Sequence, residues 1–325
     1  MSFVKIEDIK MWYPYKKGNS LFTKADNKKY VKAVDGISLN IGKREILGVI
    51  GESGCGKSTL GRVLTRLENP TGGDVFLNGE STSKMLAKNP KEFRRNVQII
   101  FQNPFDTFTP RDTIAKILMR PLRIHSVGTN DAERYQMCIT ALESYGLRPA
   151  KDILERYPHE LSGGQLQRIS IIRAMFLGPS FVVADEPVSM LDVSVRSDII
   201  NMLLALREEK GASIVFISHD IALTRYISDK IAVLYLGRCV EYGDSDEIIN
   251  NPKHPYTQAL ISNSGSIDPD DETVPIDLQG EPPTPINPGP GCYFAPRCQK
   301  ASDECFKEYP EIVEVSKDHY AACRY

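Results

Sequence analysis

Several absences narrow this chain before any motif is read. There is one tryptophan and there are five histidines. No apolar run approaches the roughly 18 residues needed to cross a bilayer. The first ten residues lack the apolar stretch of a secretory leader. Forty basic residues face 42 acidic ones, a net charge of −2, so no electrostatic footprint for nucleic acid is present. No heptad pattern and no internal repeat occurs. Tight CxxC pairs, the mark of a zinc ribbon, are also missing. These absences point to a water-soluble cytoplasmic protein whose membrane association, if any, comes through a partner. With 325 residues and 41% hydrophobic content, the chain can bury a large core, and its length suggests about two domains.

What is present is punctuated and ordered. Val4 to Lys10 alternates as a strand and is interrupted at Trp12-Tyr13-Pro14-Tyr15. Lys16 to Lys29 reads as a polar loop. Val31 to Val34 and Ile37 to Ile41 alternate again, and Gly42-Lys43-Arg44 is a turn. Short apolar runs at 46–50, 97–101, 181–184, 213–217 and 231–236 look like buried parallel strands separated by helices. Residues from about Pro110 to Gly178 carry helical periodicity. The fold class is therefore α/β, a parallel sheet with crossover helices. Ser264 to Gly291 is rich in Pro, Gly, Asp and Ser, so a packed core is not expected there.

Gly51-x-x-x-x-Gly56-Lys57-Ser58 fits a phosphate-binding loop between strand and helix. Its glycines turn backbone N–H groups toward phosphate oxygens, and the helix N-terminus adds positive potential. Ser53, Gly54, Cys55 and Thr59 complete the cradle. Lys57 would reach the β- and γ-phosphates, and Ser58 would bind Mg²⁺. Asp185 ends an apolar strand and would hold the metal. Glu186 beside it would polarise an attacking water. Gln102 follows a strand as a candidate switch residue sensing Mg²⁺ and water. His219 stands at a strand's carboxyl end as a γ-phosphate contact. Leu161-Ser162-Gly163-Gly164-Gln165 opens a strong helix and forms a second anion site. Two such sites in one monomer would be redundant, so the economical reading is that the second one serves a partner's nucleotide; a plain glycine-bearing N-cap is the alternative.

This set of motifs, in this order, resembles the nucleotide-binding subunit of an ATP-binding cassette (ABC) transporter. The resemblance implies a P-loop (RecA-like) core with an antiparallel β subdomain and a helical subdomain at about 104–178, spanning 1–262. It also implies a head-to-tail dimer with Asp192 at the seam, and an aromatic stacked on adenine. Tyr13 fits that role best, with Trp12 and Tyr15 as rivals. The loop from Gln102 to Arg111 and the helices after it should grip the membrane subunits.

His254 to Leu260, which follows the core, then Gly280-Glu281-Pro282-Pro283 and Gly291 to Cys298, look like the C-terminal extension of the oligopeptide/dipeptide/nickel importer subfamily; the Pro/Gly-rich linker and four-cysteine extension occupy 263–325. The phosphate loop and the polar loop before it are more like the second ("F") ATPase of such importers. That implies a heterodimer with a sister ATPase, two transmembrane permeases, an extracellular or periplasmic binding protein, and a place on the cytoplasmic face of the membrane. The cargo would be oligopeptides or dipeptides, with nickel or oligosaccharides as alternatives. A soluble, non-transport cassette protein is the rival reading; the single cassette argues against it. Cys292-x5-Cys298-x6-Cys305-x17-Cys323 could bind zinc, hold an iron–sulfur cluster or carry no metal. Some subfamily members carry a [4Fe-4S] cluster on such a tail, and the resemblance favours that choice. Leu166, Met190 and Arg44 depart from the family pattern without touching a catalytic position.

Overall fold

The computed structural model describes residues 2–15, 29–264, 275–278 and 280–325. The chain runs β1 (Val4–Tyr15), β2 (Lys29–Ile41), β3 (Ile46–Ile50), α1 (Lys57–Leu64), β4 (Gly72–Leu77), β5 (Glu80–Ser81), α2 (Thr82–Lys88), α3 (Pro90–Asn96) and β6 (Val97–Ile100). Four helices follow: α4 (Ile114–Ile124), α5 (Asp131–Ser144), α6 (Ala150–Glu155) and α7 (Gly163–Met175). Then come β7 (Phe181–Asp185), α8 (Val193–Lys210), β8 (Ser213–Ile217), α9 (Ile221–Ile227), β9 (Lys230–Tyr235), β10 (Arg238–Asp244), α10 (Ser245–Asn250) and α11 (Pro255–Ser262). The last elements are α12 (Asp303–Lys307), β11 (Val313–Ser316) and β12 (His319–Ala321).

Two compact units emerge. The first comprises Met1–Gly42, Ile46–Ser83 and Phe216–Tyr325; the second comprises Lys43–Glu45 and Lys84–Val215. The chain passes from the second back to the first within β8.

In the first unit, β2, β1, β4 and β5 form an antiparallel sheet in that order. A second set is ordered β11-β12-β10-β9-β3, with β3 and β9 parallel and β9, β10 and β12 antiparallel. β3 is buried at every position, as its unbroken apolar sequence requires. The core gathers Ile50, Ile231, Val233, Tyr235 and Tyr256 with Tyr293 and Phe294.

In the second unit β8, β7 and β6 are neighbours, with β6 and β7 parallel. α4 to α7 supply the helical part. Ile114, Leu118 and Leu122 of α4 and Cys138 and Leu142 of α5 are fully buried, one stripe from each helix.

Three expectations need correction. β1 does not stop at Trp12: shifts of register between Ile6 and Trp12 absorb the irregular stretch, and Pro14 still pairs with Tyr30. Proline is tolerated there because it lies near the strand's end. The two alternating runs at 31–34 and 37–41 are one strand, β2, with Gly36 at a positive φ between them. The segment before Gly291 is also not coreless. Leu278 packs on the core, Ile286 bridges Val31, and Lys32 donates its backbone N–H to the Pro285 carbonyl. Most of the polar loop read at 16–29 lies outside the described residues.

Candidate functional site

The phosphate loop lies in the first unit, between buried β3 and α1. Two of its glycines are dictated by sterics. At Gly56, φ is +104° and a Cβ would stand 2.0 Å from the Ala33 carbonyl oxygen. At Gly51, a Cβ would meet the Leu234 carbonyl oxygen at 2.2 Å. Any side chain would push the loop off the strands beneath it. Lys57 opens α1 and is 6% exposed. Its ammonium donates to the carbonyls of Gly51 (2.7 Å) and Glu52 (3.0 Å), so it winds the loop around itself. Cys55 is buried and burial pushes its thiol pKa up. The thiol is structural filling, and the neighbouring Lys57 does not reverse the shift. Ser53 and Gly54 are exposed at the tip, with Ser58 and Thr59 partly so.

Around the loop, the same unit places two more expected residues. Ser218 donates its backbone N–H to the Val49 carbonyl (3.2 Å), which sets the exit of β8 beside the exit of β3. His219 follows one residue later and is exposed. Tyr13 turns toward α1, where its hydroxyl donates to Glu68. Burial and the Glu68 carboxylate push its pKa up to about 12. Trp12 is committed elsewhere: its indole N–H donates to Asp35 (3.0 Å) and Lys32 lies over its ring.

The carboxylate pair lies in the second unit. Asp185 ends β7 and is 6% exposed. Glu186 takes φ +45°, a left-handed conformation rare outside glycine. The Gln102 side chain donates to Glu186 Oε2 at 3.0 Å and to Ser189 Oγ at 3.2 Å. Two residues 84 positions apart in sequence thus meet.

The same unit holds the glycine-rich helix start. Ser162 caps α7: its hydroxyl accepts from the Gln165 N–H (3.3 Å), and Gln165 Oε1 accepts from the Ser162 N–H (3.0 Å). This capping box leaves the next N–H groups beyond the reach of intrahelical bonds. The two glycines differ. A Cβ on Gly164 would stand 2.8 Å from Val195 Cγ1, whereas one on Gly163 would make ordinary contact with Leu191 Cδ2 at 3.9 Å. Packing requires Gly164 to be small but leaves Gly163 free. Asp192 precedes α8 without capping it by its side chain, and Met190 and Val193 beside it are 64% and 78% exposed.

A groove of about 260 Å³ opens between α3 and α4 and the segment after Gln102, lined by Thr107, Phe108, Ile117, Ile124 and three arginines, Arg94, Arg120 and Arg173. Arg173 lies over the Phe108 ring, 4.9 Å from its centre, and burial lowers its pKa.

In the tail of the first unit, Cys292, Cys298, Cys305 and Cys323 line one small cavity of about 20 Å³ with His254 and Phe294. Burial raises the pKa of Cys292 and Cys298. Among the described residues, however, no group of three or more His, Cys, Asp or Glu side chains is arranged to hold a metal ion. The four cysteines share one cavity lining without forming a ready ligand set. The tail also joins the core of the first unit, where Tyr293 and Phe294 are buried with the sheet.

Sequence reasoning missed several residues. Tyr256 and Arg297 hold Glu52 of the phosphate loop, and buried Asp35 joins Trp12, Lys32, Arg238 and Tyr293. The available signal was Arg297 itself, a cation directly after the apolar run Tyr293-Phe294-Ala295-Pro296. Among the described residues no helix is long and apolar enough to cross a membrane.

Comparison with known proteins gives these features a family. Residues 34–189 match the ABC transporter model, and residues 240–305 match the C-terminal region of oligopeptide/dipeptide transporters. The chain is 45% identical to the dipeptide transport ATP-binding protein DppF of Escherichia coli (strain K12), over 94% of this chain and 90% of that protein. It is 44% identical to the putative oligopeptide transport ATP-binding protein YkfD of Bacillus subtilis (strain 168), over 92% and 91%. A dimeric post-hydrolysis structure of the ATP-binding cassette MJ0796, bound to ADP and Pi, is similar with a TM-score of 0.62 and 27% identity, over 74% of this chain and 98% of that one. The chain therefore belongs to the ATP-binding subunits of ABC transporters, within the group that carries the oligopeptide/dipeptide transporter C-terminal region.

Proposed function

We propose that this chain hydrolyses ATP to drive a peptide importer, as the second of two unlike ATPase subunits on the cytoplasmic face of a membrane. The observation that carries the catalytic part is the 3.0 Å contact between Gln102 and Glu186. It ties a switch residue to the general base, so the position of one depends on the other. In this reading Gly51 to Thr59 cradle the phosphates, Lys57 steadies the β- and γ-phosphates, His219 contacts the γ-phosphate and Tyr13 stacks on adenine. Ser58, Gln102 and Asp185 would hold Mg²⁺, which neutralises phosphate charge when bound. Glu186 takes the proton of the attacking water.

Ser162, Gly163, Gly164 and Gln165 face the sister subunit's ATP, across a seam that includes Asp192 and the exposed Met190 and Val193. The groove beside Phe108 receives a cytoplasmic segment of the permeases. A binding protein outside the membrane delivers the peptide; nickel or oligosaccharide uptake by the reconstituted system would reassign the cargo. The chain alone should then be a poor ATPase.

The decisive variant is Glu186→Gln. ATP binding should persist while turnover in the assembled transporter falls about 10²–10⁴-fold, the usual contribution of a positioned base, and the ATP-closed dimer should accumulate. Turnover unchanged from the parent would remove Glu186 from that role.

A [4Fe-4S] cluster on the tail is part of the same proposal. Four thiols on one cavity favour it; the lack of a ready-made ligand group does not. Iron content and absorbance near 400 nm of anaerobically prepared protein decide it.

A further inference from the structure

Glu52, the second residue of the phosphate loop, is gripped at every polar group it has. Its carbonyl accepts from the Lys57 ammonium (3.0 Å) and the Cys55 N–H (3.3 Å). Its own N–H donates to the Tyr256 hydroxyl at 2.8 Å. Its carboxylate takes both arms of the Arg297 guanidinium, Nη1 to Oε2 at 2.7 Å and Nη2 to Oε1 at 3.0 Å. A bidentate pair of this kind fixes orientation as well as charge.

Two of those partners, Tyr256 and Arg297, come from residues 240–305, the part that matches the oligopeptide/dipeptide transporter C-terminal region. Both are anchored from behind. Tyr256 is fully buried, and its N–H donates to His254 Nδ1 (3.1 Å). Arg297 is 8% exposed, donates a further bond to the Gly280 carbonyl (3.1 Å) and lies between cavity-lining Cys292 and Cys298.

We propose that Arg297 is a positioning residue for ATP: it neutralises Glu52 and holds that carboxylate away from the phosphates, making the cysteine-bearing extension a working wall of the nucleotide site. This rests on the phosphate loop binding nucleotide as read above. The chemistry requires such a partner. The loop must gather the negative charge of a di- or triphosphate, and it carries a carboxylate within its own turn. Left unpaired, Glu52 repels the ligand; paired, it becomes a strut.

The test is MgADP binding by calorimetry to the full-length chain. Arg297→Gln should weaken binding about 10-fold, the scale of one uncompensated charge near a partly screened site. Adding Glu52→Gln to that variant should restore affinity to within about 3-fold of the parent, because the repelling charge is gone. A purely structural role for Arg297 predicts no such rescue. The proposal is overturned if folded Arg297→Gln binds MgADP as the parent does, or if the double variant stays as weak as the single one. Should Arg297→Gln fail to fold, Arg297→Lys is read instead, since an ammonium cannot span both carboxylate oxygens. A loss of about 3-fold, cancelled by Glu52→Gln, is expected, and parental affinity in Arg297→Lys overturns the proposal. A parent chain that binds no MgADP defeats the nucleotide reading itself; parental binding with unaltered variants defeats only this inference.

Discussion

Replacing Asp35 with asparagine should loosen the first unit at a single identifiable point. Asp35 is 1% exposed. It accepts from the Trp12 indole (3.0 Å), the Tyr293 hydroxyl (2.7 Å), Arg238 (3.0 Å) and Lys32 (3.4 Å). Burial alone would raise its pKa. The Tyr293 hydrogen bond and the charges of Arg238 and Lys32 outweigh that and hold it below the usual carboxylate range.

Breaking a buried ion pair by removing one partner costs about 3–5 kcal/mol. The two cations here keep 29% and 21% of their side-chain surface in solvent, and asparagine retains one acceptor oxygen. A loss of about 2–3 kcal/mol is therefore expected, or roughly 5–10 °C in melting temperature. The assay is built in, because Trp12 is the chain's single tryptophan and touches the altered group. Its emission during urea unfolding reports this cluster directly. The sign with pH also follows. A carboxylate whose folded pKa is depressed contributes stability above its unfolded pKa and loses it as pH falls through the folded value. The gap between parent and Asp35→Asn should thus be full at pH 7 and narrow below about pH 4. Equal stability at pH 7, or a gap that does not shrink in acid, would refute the reasoning.

Gly164→Ala should destabilise the second unit by about 1–3 kcal/mol through overpacking against Val195, while Gly163→Ala should melt within about 0.5 kcal/mol of the parent yet lower ATP turnover in the assembled transporter; melting curves and ATPase rates together separate the two glycines. His254, held neutral by burial with its pKa lowered to about 4, leaves the folded state short of a proton that the unfolded chain binds below about pH 6.5. Stability should fall by about 2–3 kcal/mol between pH 6.5 and 4.5 on its account, and His254→Asn, compared by urea unfolding at both pH values, should lack that part of the slope.

The strands and the chemistry-bearing residues were legible because each depends on a local pattern. Apolar runs at 46–50 and 213–217 bury on both faces and admit no other reading. The Gly51–Ser58 spacing is a local geometric device, and the glycines sit where the backbone needs them. Glu186 was legible as a carboxylate, but its left-handed φ was not. The extension was misjudged for the converse reason. Proline and glycine suppress periodicity, so the chain near Ile286 looks coreless; it gains order by pairing with β2 rather than with itself. The pairs Arg297–Glu52 and Asp35–Tyr293 escaped notice because their members lie 245 and 258 positions apart in sequence, and no one-dimensional pattern records such pairing.

The late contribution of Tyr256, Tyr293 and Arg297 has a consequence for biogenesis. A ribosome that has synthesised His219 has already supplied every residue assigned to ATP chemistry. Arg297, which braces Glu52, is still 78 residues away, beyond the Pro- and Gly-rich stretch. The nascent first unit therefore emerges with its loop held by Lys57 and the loop's own backbone bonds, and the edge of β2 waits for residues 285–287 to cover it.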